Sequence, residues 1–403
     1  MVVYHITKTL KGGAGQYALR LSSALNGIGV RSYLFTPEGN NPDGAFSLKR
    51  VTPFSSKVFN KFYRAVLNRV SSAPFHSFFL RELYAYPEGA GAPDIIHLHG
   101  LTGWIGCRGL ERLLVEGAAC LQTTHSAWDL SGGCIVNAGY TCNAFTDSCQ
   151  KCPILDSRVN FLTSKELVRK QDFVRRHKVQ AVANSQYMVD LITKSAIYRG
   201  QHPGLIHPII DDAFLEEEQE TLHGQLDLDP DARIVCLGSR SVTDEFKGIP
   251  EFFKQAQAYA SDFSKTIFLV FGEGNIPAAE GLGIKCVGLV QDKTYLASLL
   301  RTADLYVSPS QFETFGMTLL EAQGVGTPVV CFDTGGIRSA VGPLEDDGLI
   351  KLNDWKAMFP TILKKLNEPE EPSRKEMRRS WVREKFSKAV IAKKQADLYS
   401  KLI

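Results

Sequence analysis

Short apolar runs recur along the chain, each followed by a longer amphipathic stretch, and that alternation predicts βαβ units around a parallel sheet. In the first half Val2 to Ile6, Ser32 to Thr36, Ile95 to His99, Ala119 to Thr124 and Val179 to Ala183 read as strands, with Gly15 to Gly27 and Met188 to Ser195 as helices. A second series follows: Ile234 to Leu237, Thr266 to Phe271, Lys285 to Val287, Leu305 to Val307 and Val329 to Phe332, separated by helical text such as Gln291 to Thr302. Between the two, Leu205 to Leu222 carries a proline and an acidic run and reads as an interdomain linker. The Lys- and Arg-rich tail from Arg374 to Ile403 reads as helix. Two doubly wound α/β domains in tandem would place a ligand cleft between the carboxyl ends of two sheets.

Composition narrows this picture without changing it. With 403 residues, 44% hydrophobic and 22% charged, the chain has the make-up of a folded globular protein of two or three domains, which excludes a disordered or collagen-like chain. The net charge of +3 hides an asymmetry: residues 1–205 sum to +10 and residues 206–403 to −7. One half therefore suits an anionic surface better than the other. The N-terminus runs from strand-like residues straight into glycines, unlike a signal peptide, and no stretch approaches the roughly 18 apolar residues of a membrane span. A cytoplasmic protein, at the inner face of the cell membrane, is the expectation.

The chemistry concentrates in SPSQFETFGMTLLEAQGVGTPVVCFDTGG, residues 308–336. A glycine loop leads into a helix near Thr318, so the amides of Phe315, Gly316 and Met317 are placed to bind a diphosphate at the helix's positive end. Glu313 precedes this turn and Glu321 lies about one turn inside the helix. Carboxylates make poor phosphate ligands but good acceptors for hydroxyls, one for a transferred sugar and the other for a ribose.

This segment, with Glu313 and Glu321 separated by seven residues, closely resembles the signature of family 4 retaining glycosyltransferases. The resemblance implies a GT-B fold, two tandem Rossmann-like doubly wound domains with an interdomain cleft: residues 1–205 binding the acceptor, residues 206–385 binding a nucleoside diphosphate sugar (UDP- or GDP-linked), and residues 386–403 packing back on the first domain. Upstream, Gly238, Arg240, Lys247 and Gly248 look like the family's strand-end Gly-x-Arg and Lys-Gly pair, whose cations would neutralise the leaving diphosphate without a divalent metal. The loop Gly12 to Gly15, with Gly13, resembles the first glycine loop of the fold. It lacks the full G-x-G-x-x-G spacing of a dinucleotide dehydrogenase. His125 matches the histidine that relatives place at the cleft, where it would face the reacting sugar; a satisfied core histidine is the alternative, and His99 ranks below it. HPII at 207–210 and Arg338-Ser339 depart from the family's text.

Nine cysteines are too few for a disulfide scaffold, yet Cys134, Cys142, Cys149 and Cys152 cluster within nineteen residues. Four thiols at this spacing suit one structural zinc, with two disulfides or free thiols as the alternatives. Exopolysaccharide and colanic-acid-type members of the family resemble this cysteine-rich stretch. In the helical text at 57–70, Phe59, Phe62, Tyr63, Val66 and Val70 share one face opposite Lys57, Lys61 and Arg64, and Phe75, Phe78 and Phe79 follow. Residues 57–79 suit peripheral membrane contact, next to a glycan or lipid-linked glycan acceptor, with a helix packed on its own domain and a solvated cationic side as the alternative. No nucleic-acid recognition module is present. The expectation is a hexosyl-type transferase; a non-catalytic nucleotide-sugar-binding subunit is the alternative.

Overall fold

Among the described residues nine strands belong to the first half of the chain: β1 Val2–Thr7, β2 Arg31–Thr36, β3 Phe46–Ser47, β4 Lys49–Arg50, β5 Tyr84–Ala85, β6 Ile95–His99, β7 Ala119–Thr124, β8 Gln180–Ala183 and β9 Gly204–Leu205. In the computed structural model β4 and β5 form a small antiparallel pair, and the others make one parallel sheet in the order β3-β2-β1-β6-β7-β8-β9. The structure describes residues 1–38, 45–70, 80–134, 142–150, 152, 160–216, 220–276 and 280–403. The helices of this region are α1 Gly13–Gly27, α2 Phe54–Val70, α3 Cys107–Leu113, α4 Asn160–Arg176 and α5 Gln186–Lys194.

The second sheet is built from β10 Arg233–Ser241, β11 Thr266–Glu273, β12 Gly283–Gly288, β13 Leu305–Ser308, β14 Val329–Asp333 and β15 Leu349–Lys351, all parallel, in the order β12-β11-β10-β13-β14-β15. Its helices are α6 Ile249–Ala256, α7 Lys293–Thr302, α8 Met317–Gly324, α9 Trp355–Asn367 and α10 Pro372–Phe386. The expected C-terminal helix is two, because α10 ends at Ser387 and α11 spans Lys388–Ser400. The chain divides into one unit of Met1–Ile209 with Lys388–Ile403 and another of Ile210–Ser387.

Alternation along the strands sorts side chains onto the two faces of each sheet. In the first unit Tyr4, Ile6, Ile96, Leu98 and Cys120 enter one core, while Val3, Ile95 and Leu121 pack under α1 and α11 with Tyr17, Leu25, Ile391 and Tyr399. In the second, Ile234, Cys236 and Leu269 face the α7 and α8 side, and Val235, Leu237 and Phe268 face α6 and α9. Burial on both faces is why these strands read as near-continuous apolar runs. The stretch expected as a linker is packed instead: Ile206, Ile209, Ile210 and Phe214 are buried, and the Ile210 amide donates to the Phe386 carbonyl at 3.0 Å.

α2 departs from its expected facing. Phe59 and Tyr63 are half-buried and stack at 5.6 Å, with the Arg81 guanidinium 4.0 Å from the Phe59 ring. The exposed apolar stripe is Phe54, Val58 and Phe62, one turn apart, beside exposed Lys57 and Lys61. The side chains of Arg64, Val66 and Val70, and all of Phe75, Phe78 and Phe79, lie outside the described residues. Among the described residues no helix is long and apolar enough to cross a membrane.

Candidate active site

In each sheet the strand order reverses direction once, between β1 and β6 and between β10 and β13, and the crevice at the carboxyl ends of such strands is where doubly wound sheets bind ligands. The expected residues sit at these ends: His99 closes β6, and Gly13 and His125 follow β1 and β7; Gly238, Arg240, Lys247 and Glu313 lie at or after β10 and β13.

In the second unit β10 runs into a one-turn 3₁₀ segment, Glu245–Lys247, capped by the Asp244 side chain and ended by Gly248. Gly248 has φ +68°, and a Cβ there would lie 2.1 Å from the Pro309 carbonyl oxygen, so only glycine lets the two loops touch. The Gln311 amide donates to the Phe246 carbonyl at 2.8 Å. These contacts deliver the Lys247 ammonium to Glu313, Nζ to Oε1, at 2.6 Å. Both side chains stay partly exposed at 31% and 21%, so the pair is accessible to a ligand. Arg240 is exposed and makes no hydrogen bond or ion pair among the described residues.

Gly316 caps α8 at φ +99°, a conformation that turns the chain abruptly into the helix. The first amide to find an intrahelical acceptor is that of Leu320, which donates to the Gly316 carbonyl at 3.3 Å; those of Met317, Thr318 and Leu319 are the unpaired donors of a helix start. Phe315 itself is buried, its ring 5.9 Å from that of Phe386. Buried Tyr306 ties the two motifs together, donating to the Gly238 carbonyl at 3.2 Å and hydrogen-bonding Thr318. Glu321 is buried, with the Lys293 ammonium 3.6 Å away. Lys293 escaped sequence reasoning because it lies 28 positions upstream, at the start of α7. Arg338, one of the departures from the family's text, pairs with Asp333 at the surface, and the neighbouring Gly336 amide donates to the Glu313 carbonyl at 2.8 Å.

In the first unit α1 begins at Gly13, where an added Cβ would meet open space; at Gly15 it would lie 2.0 Å from the Thr9 carbonyl oxygen. Gly15 serves packing, whereas Gly13 leaves room at the helix start. His125 directly follows β7, and its loop is held by Asp129, whose carboxylate accepts the His125 amide at 2.9 Å and the Ser126 amide at 3.3 Å. Burial pushes the Asp129 carboxyl up to about 6. Sequence reasoning missed Asp129, although Ser126-x-x-Asp129 has capping-box spacing.

His125 heads a chain of imidazoles. Its Nε2 lies 3.3 Å from His99 Nδ1, and His99 Nε2 lies 3.0 Å from His5 Nδ1. Burial holds His125 and His5 down at about 3 and His99 well below the usual imidazole range, so all three are neutral near pH 7. A neutral imidazole donates from one nitrogen and accepts at the other, so His99 couples the tautomer of His125 to that of His5. The signal lay in DIIHLHG: His97 and His99 alternate with apolar residues, which puts both on the face that carries His5.

Two family models match the chain. The model of Glycosyltransferase Family 4 matches residues 11–214, and that of Glycosyl transferases group 1 matches residues 218–385. D-inositol 3-phosphate glycosyltransferase of Segniliparus rotundus is 30% identical over 199 residues, which are 45% of this chain and 44% of that protein, so the match spans less than half of the relative. Among solved structures, sucrose-phosphate synthase from Thermosynechococcus elongatus matches with a TM-score of 0.67 at 19% identity, covering 100% of this chain and 99% of that one. Anabaena HepE in complex with UDP and glucose matches at 0.66 and 14% identity, over 100% of both chains. With the two family models spanning residues 11–214 and 218–385, and solved structures superposing along the whole chain, the chain has the GT-B fold and belongs to glycosyltransferase family 4.

Proposed function

We propose that the protein transfers a hexosyl-type group from a nucleoside diphosphate sugar, UDP- or GDP-linked, to a glycan or lipid-linked glycan acceptor, with retention at the anomeric carbon and no required divalent cation. The observation that carries this reading is the 2.6 Å Lys247–Glu313 pair beside the free amides of α8. In this reading Lys247, Arg240 and the amides from Phe315 to Thr318 hold the diphosphate, with Gly238 leaving it space. The cations neutralise charge as the nucleotide departs, the work a metal does elsewhere. Glu313 accepts from sugar hydroxyls and Glu321 from the ribose. In the other unit, the acceptor-binding one, His125 addresses the reacting face of the sugar and Gly13 leaves space at the start of α1.

The UDP and glucose in the HepE complex support a UDP-linked donor. The cysteine-rich stretch supports a surface- or exopolysaccharide-building role; the inositol phosphate glycosyltransferases among the relatives make a phosphorylated cyclitol the competing acceptor. Thermal-shift screening decides the first point: stabilisation by UDP or GDP is expected, and protection by NAD alone would overturn the reading. Turnover with matching sugar donors then separates an enzyme from a non-catalytic binding subunit.

A further inference from the structure

The fold does not gather Cys134, Cys142, Cys149 and Cys152 into a group that could share a zinc ion. Among the described residues only His5, His97 and His99 bring three possible ligand atoms within 4.8 Å of one another, and all nine cysteines are free thiols. His97 already spends both ring nitrogens, on Tyr399 Oη at 2.6 Å and Thr123 Oγ1 at 2.7 Å. The charged group that the proposed transfer leaves without a task is Lys293, in the second unit.

Among the described residues of that unit two glutamates are buried, Glu321 and Glu345, and they differ in what their oxygens do. Glu345 is saturated: its carboxylate accepts from Arg378 Nε at 2.6 Å, from Lys365 Nζ at 3.3 Å and from the Val329 amide at 3.1 Å. The carboxylate of Glu321 makes no hydrogen bond among the described residues. Its ion-pair partner is the Lys293 ammonium, at 3.6 Å, which is beyond hydrogen-bond range. Lys293 thus supplies the opposite charge that a buried carboxylate needs and leaves the oxygen lone pairs open to other donors. The lysine side chain stays 37% exposed against 5% for Glu321, so a ligand can approach the pair.

The lysine is held in place by its helix. It is the first residue of α7, which Asp292 caps by accepting the Tyr295 amide at 3.0 Å. Leu296 and Leu300 of α7 share a core with Leu319 and Leu320 of α8, so two packed helices carry the pair. The Lys293 ammonium also lies 5.7 Å from the ring of buried Phe214. We infer that Lys293 is a positioning residue for the nucleotide: it keeps Glu321 ionised and directed at the ribose, whose hydroxyls donate to the open oxygens. This rests on the reading of Glu321 as the ribose acceptor. Without the ammonium, a buried carboxylate that makes no hydrogen bond either loses its charge or turns towards water, and either change takes an acceptor from the ribose. A lysine that only neutralised a buried charge would affect stability but not the choice between a ribose and a sugar without hydroxyls.

Calorimetric titration of the full chain with UDP and GDP, and with the 2′,3′-dideoxy counterpart of whichever binds, tests this without turnover. The parent chain should prefer the ribose form. Lys293→Met should bind that form about tenfold or more weakly, the effect of losing hydrogen bonds to a charged group, and should bind the dideoxy form as the parent does. Lys293→Arg, which keeps the charge, should retain most of the preference, and in turnover the loss in Lys293→Met should fall on the donor KM rather than on kcat. Lys293→Gln makes the same comparison if the methionine variant fails to fold. Weakening of both forms alike, or of neither, would overturn the inference. Glu321→Ala separates it from the reading beneath it: if that variant loses the ribose preference while Lys293→Met keeps it, Glu321 reads the ribose without Lys293. If the parent chain binds neither nucleotide, or binds both forms equally, the ribose assignment falls and the inference with it.

Discussion

Lys247 and Glu313 hold each other at 2.6 Å, so removing either frees the other and unsettles the charge pattern that a donor would meet. Glu313→Ala and Lys247→Ala should each lower kcat by about 10²–10³, the usual effect of losing a preorganised electrostatic group. Melting temperatures should barely move, because a partly exposed ion pair contributes only about 0–1 kcal/mol. Near-normal turnover in both variants would leave the donor assignment without support. If His125 addresses the sugar as proposed, His99 positions it through their 3.3 Å contact, and His99→Phe should lower kcat up to about tenfold, the effect of one lost hydrogen bond. His99→Gln, which can still donate and accept, should recover part of that loss with KM unchanged; equal activity in both variants would mean that His99 only fills space.

Short elements carry more of the structure than their length suggests. The 3₁₀ segment Pro343–Gly348 brings buried Glu345 to Arg378 of α10 at 2.6 Å, to Lys365 of α9 at 3.3 Å and to the Val329 amide at the start of β14 at 3.1 Å. Glu345→Ala leaves a buried guanidinium and a strand amide without this partner. Unfolding in urea should show a loss of about 3–5 kcal/mol, as for other broken buried pairs. The α2 helix poses a surface question. Its exposed Phe54, Val58 and Phe62 beside Lys57 and Lys61 suit the headgroup region of an anionic membrane. Flotation with anionic liposomes at low salt should carry the protein upward, and Phe54→Ser with Phe62→Ser should weaken binding; no binding by the parent chain removes the membrane proposal.

At the scale of the whole molecule, the buried histidines make stability depend on pH. His5, His97 and His99 are fully buried, and burial holds them neutral when folded, His5 down to about 3, whereas in the unfolded chain they protonate near 6.5. Below 6.5 the unfolded state therefore binds more protons, so stability is intact above that pH and declines as the pH falls toward the depressed folded values. The limiting slope is about 1.4 kcal/mol per pH unit for each histidine. Melting curves between pH 7.5 and 5 should show a steep fall below 6.5 that His97→Gln reduces; a flat profile would mean that these rings take up protons as readily in the folded state as in the unfolded one.

Much of this was legible in the sequence. Apolar strands buried on both faces announce themselves by composition, so Ile95–His99 and Ala119–Thr124 were read to the residue, and the Glu313 segment showed its loop-to-helix turn through glycine placement. Short strands and cooperating pairs were not legible. Leu349–Lys351 is too brief for any period, and the single C-terminal helix of the sequence reading divides at Ser387 without a glycine or proline to mark the break. Tertiary structure alone decided which charges meet. Lys247 reaches Glu313 across 66 residues because Gly248 can touch the Pro309 carbonyl, and His125 meets His99 because adjacent parallel strands end side by side. Local sequence sets where backbone and hydrophobic pattern must go, whereas contacts between distant residues depend on strand register and loop closure, which no local pattern encodes.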